Sequence, residues 1–199
     1  VVEAADAAHG IEVVLGASGR QARTDQTLLF LRRVLAESGS AHEMFGIGGD
    51  KFAARAYGRP YLPEEYVVAA SMVGEPTLAR DKVVRNTDYE RIQTCVNAAR
   101  AKAVARLLNE ARTAGGKPDP DTEEIYLANL DCLYRHLAAH VEQREVPPEL
   151  LPAVEAIARF PFFTVYESAS RYSLAELYRI RSPRHGVFLH AKSTDVALQ

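Results

Sequence analysis

Chemistry-bearing residues cluster in a few places along the chain. Cys132, His136 and His140 stand four residues apart, which on a helix puts all three on one face. Two histidines at i and i+4 can share a metal ion, and a thiolate can be a third ligand. The residues between the histidines are Leu137, Ala138 and Ala139, so the glutamate of a zinc-hydrolase motif is missing. A flank beside an apolar stripe is the simpler account of that spacing. Glu64-Glu65 and Glu123-Glu124 are paired carboxylates. Each pair also suits the first turn of a helix, where the dipole favours acids. No Gly-X-Ser-X-Gly nucleophile elbow and no Walker A sequence occurs. A Ser-His-Asp or Cys-His arrangement stays open, because its members need not be near in sequence.

The richest local pattern is a strand, a small-residue loop and a helix. Ile11-Glu12-Val13-Val14-Leu15 is short, β-branched and bounded by glycines, so it reads as a strand. Gly16-Ala17-Ser18-Gly19-Arg20-Gln21 follows as a loop, and Asp25 to Ser38 reads as a helix capped by Thr24 or Asp25. That helix turns Leu28, Leu31, Val34 and Leu35 inward. Backbone amides of such a loop, entering a helix N-terminus, make a phosphate site. The spacing resembles the phosphate loop of flavodoxin-like FMN reductases over this stretch alone. The resemblance implies a phosphorylated, flavin-like cofactor or a nucleotide, held at Ser18, Gly19, Arg20 and Thr24. The regular β-α alternation of that fold does not follow in the later residues.

The chain is organised around the stretch Thr87 to Gln143, read as two long amphipathic helices. In the first, Thr87 and Glu90 form a capping box, and Ile92, Val96, Ala103 and Leu107 give an apolar stripe widened by Val104, Leu108 and Ala111. Gly115-Gly116 ends it. The second is capped by Asp121 and carries Tyr126, Leu130, Leu133, Leu137 and Val141 inward. It ends before Val146-Pro147-Pro148. A short linker between two such stripes favours an antiparallel hairpin.

The remaining elements are read as follows. Val1 to His9 is a short helix stopped by Gly10. Met44 to Asp50 is a loop, Lys51 to Tyr57 a turn or two of helix, and Arg59 to Pro63 extended. Glu64 to Met72 is a buried helix. Glu149 to Arg159 is a helix with Pro148 in its first turn and Leu151, Val154 and Ile157 inward. Phe160 to Tyr166 is extended, and Ser173 to Glu176 is a capping box opening a short helix to Ile180. Val187 to Ala191 is a further strand.

The expected fold is therefore mostly α: a helical domain built on a long antiparallel helix hairpin, with two or three short strands as a minor α+β sheet. The 199 residues read as one domain. It has an N-terminal part, 1–79, the hairpin, 87–143, and a C-terminal part of helices and strands, 147–199. Such a chain buries a sizeable core without disulfides or metal. Cys95 and Cys132, one in each long helix, suit a reducing, intracellular setting, though a bridge across the hairpin is geometrically open. No apolar run reaches the length of a membrane span.

Net charge is −2, against a binder driven by overall charge. The charge is laid out in blocks: −3 over 1–79, +5 over 80–117, −7 over 118–158 and +3 over 159–199. Adjacent blocks of opposite sign suit internal pairing or contacts between copies. With no catalytic motif, the expected function is a non-catalytic protein–protein interaction or self-assembly domain, possible as a segment of a larger structural protein. An enzyme using the Gly16–Thr24 loop is the alternative. Nucleic-acid or partner contact through Arg91, Lys102, Arg106 and Arg112, on one arc of the first long helix, is the third reading.

Overall fold

A computed structural model describes residues 2–16, 27–39, 44, 65–79, 81–115, 117–139, 146–164 and 170–180. Its centre is a five-stranded mixed sheet. β1 (Val2–Asp6) and β2 (Ile11–Gly16) form an antiparallel hairpin with Asp6 opposite Ile11. The helix expected over Val1 to His9 is thus a strand. The turn explains why. Asp6 Oδ1 accepts the His9 amide at 3.3 Å, and the His9 ring Nδ1 lies 2.8 Å from Asp6 Oδ2. Gly10 follows at φ +62°, where a Cβ would collide with Ser71 Oγ. Local turn chemistry wins over a helix that had one turn of alanines to recommend it.

β3 (Thr27–Leu31) and β4 (Val34–Gly39) form a second antiparallel hairpin, where a helix from Asp25 to Ser38 was expected. Leu28, Leu31, Val34 and Leu35 fit a helical period. The period that decides the structure is two: Thr27, Leu29 and Leu31 are buried, while Leu28 and Phe30 are half-buried on the other face. Arg32 and Arg33 make the two-residue turn, at φ 51° and 69°. Both sit in the left-handed region that such hairpin turns demand and that Asn-Gly usually fills. The missing Asn-Gly is why the hairpin left no mark in the sequence.

β5 (Glu65–Ala70) was expected as part of a buried helix over 64–72. It is a strand inserted between the hairpins. Val68 lies opposite Val13 in the antiparallel pairing with β2 and beside Leu29 in the parallel pairing with β3. The sheet order is β1-β2-β5-β3-β4. Residues 66–70 of β5 are a continuous apolar run, which reads equally well as helix.

One face of the sheet is dry. Ala4, Ile11, Val13, Leu15, Leu29, Leu31, Val68 and Ala70 are buried there. Across it lies α1 (Thr87–Ala114). Its cap is Asn86, whose side chain accepts the Tyr89 amide at 3.2 Å, one residue earlier than the expected Thr87. Its end is Gly115, at φ 71°. The buried arc is wider than the stripe in the sequence: Cys95, Ala99, Arg100, Ala101 and Ala105 join Ile92, Val96, Val104 and Leu108. The helix is covered on two sides. β1 and β2 take one, and the 3-10 turn Pro148–Leu150 with α3 (Leu151–Arg159) takes the other. Fully burying each large aliphatic side chain of this arc is worth about 1.5–3 kcal/mol.

The expected fold class is corrected by these findings. α1 and α2 (Pro120–Ala139) both exist, yet α1 packs chiefly on the sheet and on α3, with only minor contact to α2. No long antiparallel helix hairpin organises the chain, and the sheet is the scaffold and no minor addition. A helix enclosed between the sheet and α3 needs an apolar arc on each side, which the abundant alanines of α1 supply without showing as a stripe.

The rest follows the sequence more closely. α2 is capped by Asp119, two residues before the expected Asp121: Thr122 donates its amide to Oδ1 at 3.0 Å and its hydroxyl to Oδ2 at 2.9 Å. In α3, Ala153, Ala156 and Ile157 are buried, while Leu151 is exposed. β6 (Phe163–Thr164) and β7 (Arg171–Tyr172) make a short ladder. α4 (Leu174–Ile180) opens with the expected box, Ser173 and Glu176 bonding each other. The readings over 17–26, 45–63 and 187–191 lie outside the described residues.

Candidate functional site

Three surfaces carry chemistry among the described residues. The first is a cleft of about 360 Å³ between β1 and α1. Ala4, Ala5 and Asp6 form one wall. Helical spacing brings Glu90, Arg91, Thr94, Cys95, Ala98 and Lys102 to the other. Asp6, Arg91 and Thr94 among its polar groups are satisfied internally. Arg91 Nη1 donates to Asp88 Oδ1 at 2.8 Å, and Thr94 Oγ1 donates to the Glu90 carbonyl at 3.0 Å. The hydrogen bond from His9 holds the Asp6 carboxyl below its ordinary value. Burial pushes the Cys95 thiol up, and Asp6 adds to that while Lys102 opposes it. Cys95 is a free, buried thiol and forms no bridge to the second helix. A thiol held protonated is a poor nucleophile. No three His, Cys, Asp or Glu residues among those described are placed to hold a metal.

The second surface lies at the far end of α1. A cleft of about 420 Å³ is lined there by Arg112, Lys117, Pro118, Phe160, Pro161 and Arg171, with Ala111 and Gly115. Behind it stands an aromatic group. Tyr126 lies 5.0 Å from Phe160 and stacks on Phe162 at 4.7 Å, centroid to centroid. Burial pushes the Tyr126 hydroxyl up.

The third is the outer edge of the sheet at β4. No strand pairs with that edge among the described residues. Val34 is 68% exposed and Leu35 50% exposed, beside the Arg32-Arg33 turn. A one-residue bulge at Leu29/Phe30 against Ala36 turns both Ala36 and Glu37 inward. Glu37 is held there by the Val83 amide at 3.0 Å and by Arg85 Nη2 at 2.7 Å. The guanidinium of Arg85 in turn sits 3.9 Å above the Tyr89 ring. The edge strand is therefore pinned from behind, and no described strand covers its front. No known protein family matches this sequence, and no curated protein matches it.

The residues singled out in the sequence are placed as follows. Ser18, Gly19, Arg20 and Thr24 lie outside the described residues. Arg91 and Lys102 line the first cleft and Arg112 the second. Arg106 bonds Glu110 at 2.7 Å. From Arg91 to Arg112 the helix runs about 30 Å. The structure thus spreads these four cations along α1, two of them bonded to neighbouring acids. Glu123 lies in the first turn of α2, as its spacing suggests, 3.7 Å from Arg171. Glu65 lies in β5, not in a helix. Among the described residues no helix is long and apolar enough to cross a membrane. Val34, Leu35, Lys117 and Arg171 carried no sequence signal. The first two were absorbed into a helical period, and the other two meet only through the fold.

Proposed function

We propose that this chain is a non-catalytic self-assembly domain in which two copies join edge to edge along β4. The observation that carries the reading is the pair of exposed apolar side chains, Val34 and Leu35, on an outer strand whose far edge pairs with no strand among the described residues. An exposed strand edge presents a row of unpaired amides and carbonyls, a template for another strand. Soluble monomers usually blunt such an edge with lysine, proline or a covering loop. Two β4 strands meeting antiparallel about a twofold axis form a self-complementary contact. In that arrangement the Arg32-Arg33 end of one copy runs beside the Glu37–Gly39 end of the other. Two arginines in left-handed conformation are costly there, and strain of this kind is retained where it shapes a contact. In the cleft between β1 and α1, burial pushes the Cys95 thiol up, which leaves it a poor nucleophile.

The test is native mass spectrometry with sedimentation over rising protein concentration. A dimer should grow in with concentration, and Val34→Lys or Leu35→Lys should abolish it while leaving the thermal midpoint of the dilute monomer unchanged. A monomer throughout, or a dimer indifferent to both substitutions, rejects the reading.

A further inference from the structure

We infer that the cleft at the C-terminal end of α1 binds the phosphate of a small phosphate monoester that carries an apolar or aromatic body. Three cations from three places converge on it: Arg112 from the last turn of α1, Lys117 from the linker, and Arg171 from β7. No acid is among the residues lining the cleft, and Glu123 stands 3.7 Å from Arg171. Arg112 and Lys117 also suit the negative end of the helix dipole. Arg171 owes nothing to that dipole. Its side chain is only 19% exposed, yet its Nη1 has no hydrogen-bond partner among the described residues. The Glu123 carboxylate, at 3.7 Å, pairs with it by charge but lies beyond hydrogen-bond distance. A buried guanidinium normally has its donors filled. A small rotation of the fork would present that donor to an anion in the cleft.

The anion is a phosphate because a guanidinium fork matches its oxygens two at a time, and three cations suit a dianion. Pro118, Pro161 and the edge of Phe160 supply apolar walls beside the charged end. About 420 Å³ lies in the range of small-molecule sites. A free phosphate would leave those walls bare, so the body of the ester contributes to affinity.

Phenyl phosphate and inorganic phosphate serve as probes, titrated into the full chain by calorimetry and by amide chemical shifts. Phenyl phosphate should bind saturably and more tightly than inorganic phosphate. Lys117→Gln and Arg171→Gln should each weaken it about tenfold, while Lys102→Gln, in the other cleft, should not. Lys117 is exposed in a linker, so its variant keeps the fold and decides the matter even if the Arg171 variant does not fold. No saturable binding, equal affinity for the two probes, or unchanged affinity in Lys117→Gln would overturn the inference. None of these outcomes depends on whether the chain dimerises through β4.

Discussion

Glu37 is the residue whose removal has the clearest consequence. Its two carboxylate oxygens hold the Val83 amide and the Arg85 guanidinium, and so tie an edge strand to the loop that feeds α1. Replacing it with alanine strands a buried amide at Val83. The expected loss is about 1–3 kcal/mol in urea denaturation, because a buried donor left without an acceptor pays its full desolvation. Glu37→Gln keeps an acceptor and should lose less. Equal losses in the two variants would show that the amide is satisfied some other way. Nothing in the sequence marks Glu37. It is one acid on an apolar strand, and its partners stand far along the chain. Ser173 is the opposite case. Its partner is three residues away, so the capping box was legible and the structure bears it out.

Elements were legible where local punctuation agreed with the period, and illegible where apolar residues fit a helical period equally well. β2 alternates buried and exposed residues and was read correctly. β5 carries the unbroken apolar run Tyr66-Val67-Val68-Ala69-Ala70, with no glycine bounding it closely, and was taken for a helix. The caps of α1 and α2 were placed one and two residues late, because Asn86 and Asp119 precede residues that also cap well. The caps of α2 and α4 make their helices sensitive to acid. Hydrogen bonding from Thr122, first its amide and then its hydroxyl, holds the Asp119 carboxyl below its ordinary value. The Ser173 amide and hydroxyl do the same for Glu176. A carboxyl whose folded pKa is lowered stabilises the fold fully above its unfolded value. That stability is lost as pH falls through the folded value. The urea midpoint should therefore decline on acidification below the ordinary carboxylate range. In Asp119→Asn and Glu176→Gln the decline should be shallower. A pH dependence identical to the parent would remove these caps from the account.

At the scale of the whole molecule, the two hairpins meet in the sheet only through β5. Val68 sits at the middle of that strand, fully buried, with Val13 on one side and Leu29 on the other. Proline there deletes a ladder amide and forces the backbone away from both neighbours. The parent is expected to unfold in one cooperative transition followed by circular dichroism, and Val68→Pro should abolish it. A sharp transition of unchanged midpoint would mean that the sheet does not depend on β5. The block charges bear on this scale too, since α1 and α2 carry opposite excess charge and yet touch little. The order of assembly follows from the same strand. Each hairpin closes over a short loop and can form early, at small entropic cost. β5 arrives later in the chain and has to enter a gap between two ribbons already made. Until it does, two inner edges stand open beside apolar side chains, so the slow, aggregation-exposed stage of folding belongs to the arrival of residues 65–70.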